Sequence, residues 1–153
     1  MAAQELNEAQ LARRDWMSLL AKAPAAALAR RWGGLGLAPE FDWLRAPEIG
    51  AVMVRGRAGG TGAAFNLGEM TVTRCALRLA GGDVGHAVVQ GRDRDKARVA
   101  ALVDALMQGA HAAAVRRDLL EPLRAEIRTQ AEARAARAAA TKVEFFTMVR
   151  GED

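Results

Sequence analysis

The feature that most constrains the fold of this chain is a change in hydrophobic period near Ile49. Before this point, apolar residues recur every three or four positions, as they do on one face of a helix. After it, polar and apolar residues alternate as in strands, and helical spacing returns beyond Asp93. The alternating segments are AVMVRGR, EMTVTRCALRLA and VGHAVVQG. This order predicts an α+β fold: a small antiparallel sheet with N-terminal helices and a long C-terminal helix.

The chain has 153 residues, a length that predicts a single domain over residues 1–153. We expect helices over 7–33, strands over 49–91, helices over 93–142 and a docking tail over 143–153. Asn7 followed by Gln10 is a capping-box pattern that starts the first helix. Its predicted apolar face comprises Ala12, Trp16, Leu19, Leu20 and Ala23. The second helix follows Pro24 and is expected to stop at Gly33-Gly34.

The segment LGLAPEFDWLRAPEIG contains two prolines and predicts a connector, anchored on the core by Phe41, Trp43 and Leu44. Gly81-Gly82 predicts a tight hairpin between the last two strands. A two-residue loop would place Cys75 and His86 on one face of the sheet. It would also place Gln90 and Arg92 opposite Thr73 and Thr71. A one-residue change in loop length would reverse the faces.

Asp93 is expected to cap the next helix, which would end at Gly109. Its predicted apolar stripe comprises Val99, Leu102, Val103 and Leu106. Two alternatives remain open for the last helix. Either it starts at an Asp118–Glu121 capping box with Pro122 in the first turn, or Pro122 kinks one continuous helix that starts near Ala110.

The last helix has a narrow predicted seam of apolar residues, followed by AEARAARAAATK, which has little to bury. The seam comprises Leu120, Leu123, Ile127 and Ala131. We expect this end of the helix to project or to lie against a partner. The tail after it carries apolar side chains, which predict docking on this chain or another. They are Phe145, Phe146, Met148 and Val149.

The formal net charge is +4 and arginine supplies most of the positive charge, which only weakly favours anionic partners. In the arginine-rich helix over 116–137, acidic residues alternate with the arginines at spacings that allow pairs such as Arg128–Glu132. This pattern argues against nucleic-acid binding. No apolar run approaches the ~20 residues of a membrane span, and the polar N-terminus fits no leader sequence. With one cysteine and no disulfide framework, we expect a cytoplasmic protein.

The sequence predicts neither a metal site nor a catalytic set in this chain. Cys75, His86 and His111 lie at spacings that match no zinc motif, and a mid-strand cysteine is usually a core residue. Ser18 is the one serine in the chain, and tyrosine is absent. We therefore assign no catalytic and no metal-binding residues.

The most concentrated signal is the segment VRGRAGGTGAAFNLGE. Gly56, Gly59, Gly60 and Gly62 permit close backbone approach to an anion, and Arg55 and Arg57 would add positive charge. The segment fits neither a phosphate-binding P-loop nor a dinucleotide fingerprint. Two readings stay open at this point: an anion-binding loop, or a wide loop that joins two strands.

Several segments together resemble the PhnG family of the bacterial carbon–phosphorus lyase system. The segments are RRDWMSLLAKA, RAPEIGAVMVRGR, VMVRGRAGGTGAAFNLGEMTVTRCALRL, GHAVVQGRD and KVEFFTMVRGED. The resemblance spans nearly the whole chain. It departs from the family pattern at Ala64, where proline is expected, and this loses a rigid turn residue without removing a functional group.

The resemblance implies an accessory subunit of a multi-protein complex that acts on organic phosphonates. That complex transfers an alkylphosphonate onto C1′ of ATP, releases adenine and yields α-D-ribose 1-methylphosphonate 5-triphosphate. The nucleosidase-like centre is attributed to a PhnI-like subunit, and later radical cleavage to a PhnJ-like subunit. A PhnH-like subunit is the third implied partner. The isolated chain is expected to be inactive and to bind no cofactor alone, since MgATP is a substrate of the complex.

The resemblance also suggests which residues shape a surface beside the partner's active site. They are Arg55, Arg57, Gly59, Gly60, Thr61, Gly62, Asn66, Glu69 and Arg74, joined by Gln90 and Arg92. The alternative is a purely structural assembly subunit, in which these residues hold the interface and never meet substrate.

Overall fold

The computed structural model describes residues 6–59 and 61–141. Helices α1 (Glu8–Lys22) and α2 (Ala25–Leu35) precede strands β1 (Phe41–Gly56), β2 (Phe65–Leu79) and β3 (Val84–Gln90). Helices α3 (Arg94–Leu106) and α4 (Ala112–Val115), a π-helical segment (Arg116–Leu120) and α5 (Glu121–Ala140) complete the order. The strands form one antiparallel sheet in the order β1-β2-β3. The predicted α+β class, with N-terminal helices and a long C-terminal helix, is confirmed.

The first helix begins as the sequence predicts. The Asn7 side chain accepts a hydrogen bond from the Gln10 amide at 2.9 Å, and the Gln10 side chain accepts one from the Asn7 amide at 3.0 Å. Trp16 and Leu20 are buried, whereas Ala12 is exposed. The predicted end of α2 at Gly33-Gly34 is wrong. The helix continues to Leu35 because the left-handed residue that terminates it is Gly36, at φ 62°.

The predicted connector before Ile49 is wrong from Phe41 onward, because β1 begins there. Shifts in register between Trp43 and Arg45, and between Arg45 and Glu48, carry the strand past its proline. Since β1 is an edge strand, the missing proline N–H need not cost a ladder hydrogen bond. Phe41 packs against the core, but Trp43 and Leu44 are 39% and 46% exposed and are not the predicted anchors.

The β2–β3 pairing differs from the predicted register by one residue. Cys75 pairs with Ala87 and Leu77 pairs with Gly85. The loop is longer than two residues, because the Leu79 amide donates to the Asp83 carbonyl at 2.9 Å, and Gly82 turns the chain at φ 98°. Cys75 therefore faces the core and His86 faces outward, so the shared face predicted for them is wrong.

Helix α3 packs on the inner face of the sheet and forms the centre of the core. All four predicted stripe residues, Val99, Leu102, Val103 and Leu106, are buried. Gly85 sets the closest approach. A Cβ atom there would collide with the Ala101 carbonyl oxygen and would lie 2.9 Å from the Ala105 Cβ. The absence of a side chain at Gly85 thus allows the helix to contact the strand directly.

A buried carboxylate joins three elements of the body, by which we mean the core helices and the three-stranded part of the sheet. Asp104 of α3 is fully buried and accepts hydrogen bonds from Arg13 at 3.1 and 2.7 Å. It also accepts one from the Trp16 indole at 2.9 Å and one from the His86 amide at 2.9 Å. The charge is paired and its oxygens are satisfied, as a buried carboxylate requires. Asp104 therefore ties α1 and β3 to α3.

Lys96 makes a second link between helices. Its ammonium group donates to the Ala21 carbonyl at 2.9 Å, near the C-terminal end of α1. Burial lowers the pKa of Lys96, while the nearby Asp93 carboxylate acts in the opposite direction. Asp93 also caps α3 as predicted, accepting a hydrogen bond from the Lys96 amide at 2.8 Å.

Helix α3 ends at Leu106, with Met107 as its C-terminal cap, so the predicted end at Gly109 is wrong. From Ala112 to Ala140 the backbone stays helical through the π-helical segment, which favours the continuous-helix alternative over a start at Asp118. Proline clashes with the carbonyl four residues before it, and a π turn widens the backbone at that position. The π-helical segment ends at Leu120, two residues before Pro122.

The end of α5 leaves the body, as the sequence predicts. Leu123 is buried and Ile127 is partly buried against the core, whereas residues 128–141, with Ala131 among them, are all exposed. The expected pair between Arg128 and Glu132 forms at 3.7 Å. The predicted docking tail over 143–153 lies outside the described residues.

Candidate functional site

Strands β1 and β2 extend well beyond β3 and form a two-stranded projection, which we call the hairpin arm (residues 51–71). Strand β3 pairs with β2 only from Val72 to Arg78, so the rest of β2 pairs with β1 alone. From Val72 to Phe65 the arm reaches ~24 Å at ~3.4 Å per residue. No helix packs against this part of the ribbon among the described residues, and nearly all of its side chains are exposed.

The arm displays apolar side chains to solvent. Val52, Met53, Phe65 and Leu67 are between 43% and 60% exposed. A two-stranded ribbon is marginally stable in water, and clustered exposed apolar groups typically mark a surface that another molecule covers. The arm therefore has the composition of an interface.

The tip of the arm carries the glycine-rich segment singled out in the sequence. Arg55 lies opposite Asn66, next to a register shift at Val54/Arg55, and residues 57–64 join the strands. Arg57, Thr61 and Gly62 lie in this loop with Gly59, which adopts the left-handed conformation at φ 63°; Gly60 lies outside the described residues. Within the described residues, neither Arg55 nor Arg57 has an acidic partner within 4.0 Å. The tip thus presents uncompensated positive charge.

The remaining predicted site residues lie away from the tip. Glu69 pairs with Met53 within the arm, while Gln90 pairs with Val72 at its base and Arg92 follows β3. Arg74 lies in the body, about 27 Å from Asn66 at ~3.4 Å per residue. The ten predicted residues that the structure describes therefore do not converge on one site. They lie at the tip of the arm, within it at Glu69, and around its base.

Two residues outside the predicted set, Arg45 and His86, lie near Arg74 on the outer face of the sheet. Arg45 was assigned to a connector, and His86 was assigned to the same face as Cys75. In the structure Arg45 and His86 lie on either side of Ala76, in one row across the three strands. Glu48 accepts a hydrogen bond from Arg74 at 3.2 Å and lies 4.0 Å from the Arg45 guanidinium. The correct strand start and hairpin register would have been needed to find this group.

Cys75 is a core residue, as the sequence favours. Its side chain is 3% exposed and donates to the Ala97 carbonyl at 3.2 Å. Burial raises the pKa of this thiol to about 11, so it stays protonated and unreactive at neutral pH. Across residues 6–59 and 61–141, no three His, Cys, Asp or Glu side chains come together as metal ligands.

The helices of the described chain include none that is long and apolar enough to cross a membrane.

Two comparisons with known proteins agree with the resemblance seen in the sequence. The model of a family described as "Phosphonate metabolism protein PhnG" matches residues 11–151. A relative from Rhizobium meliloti (strain 1021), alpha-D-ribose 1-methylphosphonate 5-triphosphate synthase subunit PhnG, is 46% identical over 153 residues. That alignment covers 99% of this chain and 98% of the relative. Both matches include the body, the hairpin arm and α5, and the chain belongs to the PhnG family of phosphonate metabolism proteins.

Proposed function

We propose that this chain is an accessory subunit of a synthase complex in phosphonate catabolism. The complex transfers an alkylphosphonate onto C1′ of ATP, releases adenine and forms α-D-ribose 1-methylphosphonate 5-triphosphate. Family membership and the near-full-length relative named as a subunit of this synthase support the assignment. The structural observation that carries it is the hairpin arm, which exposes apolar side chains as a subunit interface would.

The partners we propose are PhnH-, PhnI- and PhnJ-like subunits in a hetero-oligomer. Ala51 and Met53 continue the inner face of the sheet along the arm, beyond the part of β2 that lies beneath α3. A partner that packs on this face would replace the missing helix and bury both side chains. The exposed end of α5 provides a second, more polar surface for contact.

The substrates are polyanions, which gives the arginines at the tip a chemical role. We place Arg55 and Arg57 beside the active site of a partner subunit, where guanidinium groups can bind phosphate oxygens in a bidentate manner. MgATP enters as a substrate, and this chain alone holds no cofactor. Since the reaction consumes ATP, we place the complex in the cytoplasm.

The second candidate function is a purely structural assembly subunit that never contacts substrate. The distribution of the arm's side chains favours it, because exposed apolar residues lie along the arm, whereas the two arginines that lack an acidic partner among the described residues lie only at its tip. If this candidate function is correct, Arg55 and Arg57 form ion pairs with acidic residues of a partner subunit.

The test is to replace Arg55 and Arg57 together by alanine in the assembled complex. If they guide substrate, the complex should assemble normally but release ribose 5-triphosphate in place of the ribosyl phosphonate, because water replaces phosphonate as the nucleophile. Co-purification with the partner subunits and product analysis by ³¹P NMR separate assembly from chemistry. The matched control replaces Arg14 and Arg116, which are exposed on α1 and on the π-helical segment and lie outside both the arm and the end of α5, by alanine and removes the same charge.

Loss of assembly in the Arg55/Arg57 variant, with assembly retained in the control, would favour the structural candidate. Normal assembly with the normal product would exclude both roles for these arginines.

A further inference from the structure

The outer face of the sheet has an alanine at its centre that is surrounded by basic side chains. Ala76 lies on β2 between Arg74 and Arg78, which share its face because strand side chains alternate. Arg45 is opposite Ala76 on β1, and His86 is opposite it on β3. Directly opposite residues have Cβ atoms about 5 Å apart. Three arginines and one histidine are therefore the neighbours of one methyl group on this face of the sheet.

The small side chain of Ala76 leaves a depression between these groups. Its volume is about 510 Å³, and Arg45, Arg74 and His86 line it. Leu44 and Val88 contribute apolar walls, and both are about half exposed. This size and lining suit a small oxyanion bound to guanidinium groups, with its organic substituent against the apolar walls.

Two carboxylates face the same surface and limit the charge. Glu48 lies between the guanidinium groups of Arg74 and Arg45, at 3.2 and 4.0 Å. Asp42 pairs with Arg78 at the far end of the sheet. Glu48 and the two arginines are each about half exposed, so this is a solvent-screened cluster rather than a buried ion pair. Glu48 holds the two guanidinium groups close together, yet an anion could displace it without a large desolvation cost.

We propose that the depression around Ala76 is a binding site for a phosphoryl or phosphonyl oxyanion, with Arg45 and Arg74 as its principal ligands. Planar guanidinium groups bind the oxygens of such anions in pairs, and the His86 side chain can donate a further hydrogen bond. Ala76, at the centre of the site, lies about 34 Å along β2 from Asn66 at ~3.4 Å per residue. It is therefore separate from the arginines at the tip of the arm and goes beyond the proposed function.

The test measures binding of two probes, inorganic tripolyphosphate and methylphosphonate, to the full-length chain by isothermal titration calorimetry. Replacing Arg45 and Arg74 by alanine should weaken binding at least tenfold, and added salt should weaken binding to the unaltered chain. The Arg134→Ala/Arg137→Ala variant removes the same charge elsewhere and should bind as the unaltered chain does. Stronger binding of tripolyphosphate points to a nucleotide as the source of the anion, whereas stronger binding of methylphosphonate points to the phosphonate.

Two further variants keep the test independent of the arginines. Ala76→Leu fills the depression without changing charge and should abolish binding, while thermal unfolding checks that the chain stays folded. Glu48→Gln removes the competing carboxylate and should tighten binding several-fold. Unaltered binding in the arginine double variant, or failure of the unaltered chain to bind either probe, would overturn the assignment. The proposed function would stand in either case, because it depends on assembly and on the product formed by the complex.

Discussion

Strand β2 passes through two environments, and its two halves differ although they are one continuous strand. From Val72 to Leu79 its inner-face residues are buried beneath α3, with Thr73 and Leu77 fully so. From Phe65 to Thr71 the same strand is exposed or only partly covered, and its one neighbour is β1. Alternation of side chains is the same in both halves. The difference is the presence of a helix behind the first half and its absence behind the second.

This comparison indicates how stability is distributed. The body can fold on its own contacts, because its inner face, α3 and the Asp104 network bury one another. The arm has strand geometry without a core, so we expect a partner to supply the missing burial. Variants in the body should therefore change the free energy of unfolding of the free chain, whereas variants in the arm should change assembly.

The largest effect is expected for Asp104→Ala. It leaves the Trp16 indole and the His86 amide without an acceptor and Arg13 without its counter-charge. We expect a loss of ~4 kcal/mol in the free energy of unfolding, measured by urea denaturation of the free chain. Asp15→Ala is a suitable control, because Asp15 forms an exposed pair with Arg124 and should cost less than ~1 kcal/mol. Equal losses for the two variants would contradict the role of Asp104.

The variants Leu77→Thr and Met53→Thr, made separately, compare a body residue with an arm residue on the same face of the sheet. Leu77 is fully buried and Met53 is 53% exposed. Leu77→Thr should cost ~3 kcal/mol in the free chain, whereas Met53→Thr should change its stability by no more than ~0.5 kcal/mol. Met53→Thr should instead reduce co-purification with the partner subunits. A destabilised free chain in the Met53 variant would show that the arm is part of the folded body.

Gly85→Ala tests the contact between α3 and β3. The added Cβ would collide with the Ala101 carbonyl, and helix backbone cannot move aside easily. We expect a loss of ~3 kcal/mol, measured as a lower urea midpoint. Gly50→Ala is the matched control, because a Cβ at Gly50 would meet no atom within 4 Å. Equal urea midpoints for Gly85→Ala and Gly50→Ala would contradict the proposed close contact between α3 and β3.

The thiol of Cys75 should make the body sensitive to alkaline pH. Its pKa is raised by burial from 9.0 to about 11, so the unfolded chain loses this proton at lower pH than the folded chain does. The stability from the protonated thiol is full below pH 9 and is lost as the pH rises to about 11. A pKa difference of this size corresponds to about 3 kcal/mol.

The measurement for Cys75 is the free energy of unfolding of the parent chain and of Cys75→Ala at several pH values between 8 and 11. The parent should lose more stability than the variant over this range. Lys96, whose pKa is lowered, acts in the opposite direction in both proteins and cancels in the comparison. Parallel curves for the two proteins would contradict the prediction.

Local patterns in the sequence predicted the structural features that depend on interactions between residues close together in the chain. The Asn7–Gln10 capping box, the Asp93 cap and the buried stripe of α3 all depend on residues a few positions apart. The pairing of β2 with β3 depends on the conformation of one turn, and a single extra loop residue moved His86 to the other face. The start of β1 was missed because its proline is tolerated only on an edge strand, and strand order is not a local property.

The site was predicted less completely for the same reason. The glycine-rich segment was found because its residues are adjacent in sequence. Arg45, Arg74 and His86 come from three strands, and only the register brings them around Ala76. No sequence pattern indicated the role of Asp104 either, because its hydrogen-bond partners on α1 and β3 are separated from it by 18 to 91 positions. The roles of the predicted site residues, in binding substrate or in binding a partner subunit, stay predictions.

The two-stranded construction of the arm has a consequence for the cell. Among the described residues, the outer edge of β1 and the edge of β2 beyond Val72 have no neighbouring strand. Backbone donors and acceptors along such edges can pair with any extended chain, and exposed apolar residues beside them favour aggregation. A chain made in excess of its partners would therefore tend to self-associate. Balanced production of the subunits would protect these strand edges.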